Sequence, residues 1–121
     1  MESENRIEIR RLKVRAFIGV PDEERAAEQE LKVSVSIRPR LGFAAMGDEI
    51  GGTVDYAVLA SGIQELALAR PRKLIETLAA DIAAFVLEDP QAVEVGVEVE
   101  KFILPDTDCV AVRVCARKEQ D

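Results

Sequence analysis

At 121 residues the chain is long enough to bury one core and too short for two. Its 16 basic residues against 23 acidic ones give a net charge of -7, which argues against nucleic acid or an anionic lipid surface as a partner. There is no histidine, which excludes histidine-based triads and the commonest zinc and iron ligand sets.

The start M-E-S-E-N-R has no signal-peptide character and the apolar runs fall short of membrane-spanning length, so a cytoplasmic address and a single domain over residues 1–121 are expected. The first predicted strand covers Ile7 to Phe17. Ile7 and Ile9 share one phase and Leu12, Val14 and Ala16 the other, so a bulge or strong bend is expected at Arg10-Arg11. Turn chemistry follows at Gly19-Val20-Pro21-Asp22. The acids after it, Asp22, Glu23, Glu24 and Glu28, read individually as solvated charge. Leu31, Val33, Val35 and Ile37 then alternate with Lys32, Ser34, Ser36 and Arg38, a half-buried strand antiparallel to the first.

Helical spacing takes over beyond Gly51-Gly52. Val58, Leu59, Ile63, Leu66 and Ala67 form the stripe of a helix over about Tyr56 to Ala69, with Asp55 as its N-cap. Pro71 separates it from a second helix near Arg72 to Leu87, with the stripe Leu74, Ile75, Leu78, Ile82, Phe85 and Val86. Two strands close the chain, one built on Val93, Val95, Val97 and Val99, the other on Val110, Val112 and Val114. Cys109 and Cys115 read as one strand and would lie roughly 20 Å apart, too far to bridge.

The order ββααββ gives an α+β class: a four-stranded antiparallel sheet with both helices on one face. The other face is polar, carrying Ser34, Ser36, Glu94, Glu98, Glu100 and Arg113. Open sheet edges either stay free or pair with copies of the chain, and closing into a ring would make the polar face a lumen. Self-association follows as an expectation.

Three residues break their local pattern. Counting in twos from Val93 puts Lys101 on the helix side, where loss of water favours the neutral, proton-accepting amine; the alternative is a strand end from which the side chain snorkels outward. Glu76 lies off the apolar stripe near a helix start, either as surface charge or as a carboxylate able to accept two parallel N–H bonds from a flat heterocycle. Tyr56, the one tyrosine, opens the first helix, and by itself reads as a packing residue with its hydroxyl satisfied at the surface.

Ile18-Gly19-Val20 followed by Glu24 and Gln29, then Thr53-Val54-Asp55-Tyr56, then Leu74-Ile75-Glu76-Thr77-Leu78, then Lys101 at a strand end, together resemble the dihydroneopterin aldolase family over nearly the whole chain. The resemblance implies a tunnelling fold, in which subunits join their sheets into a barrel ring, commonly two tetrameric rings stacked as an octamer. It implies active sites at subunit boundaries, with the Tyr56 segment supplied by a neighbour. Lys101 and Tyr56 then form the acid-base pair, and Glu24 and Gln29 position the substrate side chain or a water. Glu76 anchors the pyrimidine edge of a pterin, with Leu74, Ile75, Val54, Asp55 and Val20 lining the site. No metal and no other cofactor is implied. Phe102 after the lysine, where many members have proline, and Ile18 before the glycine, where histidine is frequent, bring the chain nearer to the sister enzymes that epimerise dihydroneopterin triphosphate at C2'. Those would need a cationic mouth, for which Arg70, Arg72 and Lys73 are candidates. A pterin-binding ring without turnover is the remaining alternative.

Overall fold

Four runs of alternating residues become four strands: β1 (Ile7–Phe17), β2 (Glu28–Pro39), β3 (Ala92–Lys101) and β4 (Val110–Arg117). The structure, a computed structural model, describes residues 3–119. The strands form one antiparallel sheet in the order β1-β2-β3-β4. A single helical turn, α1 (Asp22–Arg25), sits between β1 and β2; the helices α2 (Tyr56–Leu68) and α3 (Ile75–Val86) fall between β2 and β3. This is the ββααββ order that the periodicities predict.

Cross-strand pairs make the apolar layer. Ile37 faces Val95, Val35 faces Val97, Val33 faces Val99, and Val97 and Val99 face Val114 and Val112 of β4. Leu59, Ile63 and Ala67 of α2 pack over the β1 side, and Leu78, Ile82 and Val86 of α3 over β3 and β4. Each large side chain fully removed from water here contributes about 1.5–3 kcal/mol.

The change of phase in β1 is a bulge. Ile9 pairs with Val35 and Leu12 with Val33, so Arg10 and Arg11 together stand against Ser34. Arg11 takes a φ of 54°, and its N–H donates to Ser34 Oγ at 3.0 Å. The extra residue turns Leu12, Val14 and Ala16 onto the same face as Ile7 and Ile9.

Two stripe residues do not lie where their spacing predicts. Val58 is 68% exposed, because the buried line of α2 is narrow and runs through Leu59, Ile63 and Ala67, leaving Val58 about 100° outside it. Leu74 is also exposed, since α3 begins only at Ile75 and residues 72–74 are extended.

The opposite face of the sheet is a lattice of charge pairs. Arg6 binds Ser36 Oγ at 2.6 Å and Glu94 at 3.2 Å, Arg11 forks onto Glu100 at 3.3 and 3.2 Å, and Arg113 pairs with Glu98. Both cysteines are free thiols; Cys109 precedes β4 rather than lying within it. Desolvation first, then a hydrogen bond to Glu100 at 3.6 Å and that carboxylate's charge, push the Cys109 thiol up.

Candidate active site

Beyond Phe17 the chain keeps its extended form and meets the segment leading into α3. The Arg72 N–H donates to Phe17 O at 3.0 Å and the Gly19 N–H to Arg72 O at 3.1 Å, a parallel bridge between Ile18 and Arg72. The bridge brings Leu74, Ile75 and Glu76 beside the end of β1. Arg72 itself is only 4% exposed. Its guanidinium donates to the carbonyls of Leu66, Ala67 and Arg70 and to Asp81 on α3, so it joins the C-terminal turn of α2 to α3.

Lys101 ends β3 at this same end of the sheet. It continues the phase of Val97 and Val99, and its side chain is 12% exposed, with Nζ donating to Glu24 Oε1 at 2.5 Å. The amine is therefore turned inward onto a carboxylate and does not snorkel to water. Glu24 comes from α1, and Gln29 ties that turn down by donating from Nε2 to Ile18 O at 2.6 Å and Glu24 O at 3.1 Å. Phe102, the residue after Lys101, is exposed and lies under the ammonium of Lys32, 5.6 Å from the ring centroid.

Around this pair the rim is open: Val20, Leu74 and Glu76 are exposed, while Ile75 is buried beneath them. Glu76 stands in the first turn of α3, where the helix dipole favours an anion.

The Tyr56 segment lies elsewhere. Gln91, just before β3, donates from Nε2 to Gly51 O at 3.2 Å, and its own carbonyl accepts from Arg40 N–H at 2.7 Å. These bonds tie the approach to α2 to the beginning of β3, ten residues and roughly 30 Å from Lys101 at its end. Val54 is buried, and Asp55 caps α2 by accepting from the N–H groups of Ala57 and Val58 at 3.2 and 3.3 Å. Tyr56 projects outward, 64% exposed. Within one chain, then, Lys101, Glu24, Gln29, Val20, Leu74, Ile75 and Glu76 share one end of the sheet, and Val54, Asp55 and Tyr56 occupy the other.

Residues 7–115 match the family model for dihydroneopterin aldolase. A dihydroneopterin aldolase of Streptomyces coelicolor is 33% identical over 85% of this chain and 87% of its own length. The chain belongs to the dihydroneopterin aldolase family. Among solved structures, dihydroneopterin aldolase of E. coli in complex with neopterin has the same fold, with a TM-score of 0.84, 22% identity and coverage of 93% of this chain and 98% of that one. Dihydroneopterin aldolase from Burkholderia thailendensis bound to guanine aligns with a TM-score of 0.79 at 28% identity, over 96% of this chain and 93% of that one.

For a dihydroneopterin aldolase family member, two contributors to the Lys101 end escape sequence reasoning. Arg25 enters no pattern in the sequence, yet its guanidinium donates to Gly19 O and Val20 O at 2.8 and 2.9 Å. Arg72 reads as a cation at a site mouth and is instead a buried clamp. No periodicity marks either one, because what they bind is backbone carbonyls within six residues, at turns and a helix end that have no repeat.

Proposed function

We propose that the Lys101 end of the sheet, completed by the Tyr56 end of a neighbouring copy, runs the dihydroneopterin aldolase reaction. The activity itself, a lyase step of folate biosynthesis, follows from family membership. The observation that carries the assignment of residues is the Lys101–Glu24 pair held on the helix side of the sheet.

Dihydroneopterin has an imine beside its trihydroxypropyl chain. Removing the 2'-hydroxyl proton lets the C1'–C2' bond break, with its electrons passing into the ring and a proton arriving at the imine nitrogen. Protonation of C1', with the ring nitrogen giving up its proton as the imine re-forms, then yields 6-hydroxymethyl-7,8-dihydropterin, and C2' and C3' leave as glycolaldehyde. The substrate is its own electron sink, so the protein has to bind, orient and move protons. An amine and a carboxylate in contact can pass a proton between them with no change in their joint charge, which suits Lys101 and Glu24 to proton exchange with the 2'-hydroxyl through water. Tyr56 of the neighbour serves the departing fragment or C1'. Glu76 takes the pyrimidine edge, whose ring N–H and amino group are the same donors that guanine, the ligand of the Burkholderia relative, presents. Val20, Leu74, Ile75 and the neighbour's Val54 and Asp55 form the walls, and Gln29 acts by holding Glu24.

Two features of the chain support assembly into a ring. The edges β1 and β4 are open to continue the sheet from copy to copy, and Tyr56 and Lys101 lie too far apart to meet within one chain. A tetrameric ring, stacked in pairs as an octamer, would join them. Against the triphosphate epimerase stands the state of two of its three candidate cations, with Arg72 buried and Arg70 paired to Asp81 at 2.7 Å, which leaves Lys73 as the one exposed candidate without an ion pair among the described residues. Against a ring without turnover stands the intact Lys101–Glu24 pair despite Phe102.

Incubation with dihydroneopterin and with its triphosphate, assaying glycolaldehyde and the C2' epimer, tests the proposal. Glycolaldehyde from the unphosphorylated substrate is expected; epimerisation of the triphosphate alone would overturn it.

A further inference from the structure

The short stretch joining β1 to β2 lays the Glu24 side chain across the bare Cα of Gly19. A Cβ at position 19 would stand 2.5 Å from Glu24 Cδ, 2.6 Å from Cγ and 2.7 Å from Oε2. The other carboxylate oxygen, Oε1, is the one on Lys101 Nζ. The carboxylate therefore fills the space that any side chain at 19 would take. Gly19 also has a φ of 151°, outside the range that residues with a Cβ favour.

Arg25 holds the same backbone from the other side. Its Nη1 donates to both Gly19 O and Val20 O, and its Nη2 is anchored on Asp22 Oδ1 at 2.5 Å. The Ile18 carbonyl is taken by Gln29 and the Gly19 N–H by Arg72. The bonds from Arg25, Gln29 and Arg72 thus restrain the backbone on which Glu24 lies, and none of them touches Lys101 directly.

We infer that Gly19 and Arg25 are positioning residues for the aldolase reaction: the first by lacking a side chain, the second by clamping two carbonyls, they set the Glu24 carboxylate on the Lys101 ammonium. The inference rests on the reading of Lys101 as the proton carrier. Its physical basis is an asymmetry of cost. The end of a glutamate side chain is flexible, whereas the backbone of residues 18–20 is bonded on several sides. A methyl group at position 19 is accommodated by expelling the carboxylate, which leaves a folded protein with Lys101 deprived of its partner.

The test is Gly19→Ala made both in the native background and together with Glu24→Ala, where no carboxylate is present to expel. In the native background the change should lose about tenfold or more in kcat, and in the Glu24→Ala background, where only the backbone strain of a Cβ at this φ remains, at least several-fold less, because only residues acting through one another depart from additivity. Equal losses in the two backgrounds would mean that Gly19 matters for its backbone conformation alone, and would overturn the inference. Arg25→Gln, in the same two backgrounds, should lose about fivefold with Glu24 and nothing measurable without it, and decides the matter if Gly19→Ala does not fold. A crystal structure of either folded single variant gives a readout without substrate: Lys101 Nζ and the Glu24 carboxylate should separate beyond about 4 Å. A carboxylate still seated on Lys101 sinks the clamp, whether or not the native protein releases glycolaldehyde; absence of that release sinks only the aldolase reading.

Discussion

The two ends of the sheet are built in opposite ways. At the Lys101 end, β1, α1, α3 and β3 converge, the cation is 12% exposed and paired, and side-chain bonds run from Arg25, Gln29 and Arg72 to backbone carbonyls. At the Tyr56 end one capped helix begins, and its aromatic side chain points into solvent. Among the described residues the exposed tyrosine has no hydrogen-bond partner to orient it, while the part-buried ion pair is already held in place. The lesson is that one end presents a preorganised half-site and the other a reagent that only a second chain can bring into it.

The sharpest way to break this contrast is Lys101→Ala. If the chemistry resides in the preorganised half, kcat should fall by about 10²–10⁴ with pterin affinity nearly unchanged, read by glycolaldehyde release and a binding titration. Loss of affinity with turnover preserved would reverse the roles given to Lys101 and Glu76. Next in size is complementation between the ends. Lys101→Ala and Tyr56→Phe, each nearly inactive alone, should regain about a quarter of native activity when unfolded together and refolded as mixed rings, since random mixing leaves that share of boundaries intact. No recovery in verified mixed oligomers would place both residues in the same chain's site.

Glu76→Ala should weaken pterin binding roughly 100-fold through the loss of two charge-assisted hydrogen bonds, measured by titration calorimetry. Arg72→Met, at the preorganised end, leaves several carbonyls without donors and should cost about 2–3 kcal/mol, lowering Tm by about 10 °C. Asp55→Ala removes one helix cap at the other end and should cost about 1 kcal/mol. If the cap variant proved the more damaging of the two in thermal unfolding, the contrast between a braced end and a simple one would be wrong.

Much of the frame is legible in the residues. Alternation over Leu31 to Ile37 and Val93 to Val99 announces half-buried strands because a pleated strand turns successive side chains to opposite faces. The same period carries Lys101 to the helix side, and the broken phase at Arg10-Arg11 announces the bulge. Helix faces are read less sharply. At 100° per residue a stripe shades off gradually, so Val58 is drawn into it by spacing and left out by the narrow contact that α2 makes with β1.

Periodicity and turn chemistry by themselves determined the strand and helix order, the apolar face, and the side of the sheet on which Lys101 stands, since each depends on neighbours along the chain. Tertiary structure decided that the Glu24 carboxylate, which family resemblance and no periodicity singles out from Asp22, Glu23 and Glu28, meets Lys101, that Arg72 is buried, and that Tyr56 lies at the far end. Those outcomes depend on contacts such as Glu24 with Lys101, 77 positions apart, and on the bridge between Ile18 and Arg72 that shapes the backbone at both. No local pattern encodes that distance.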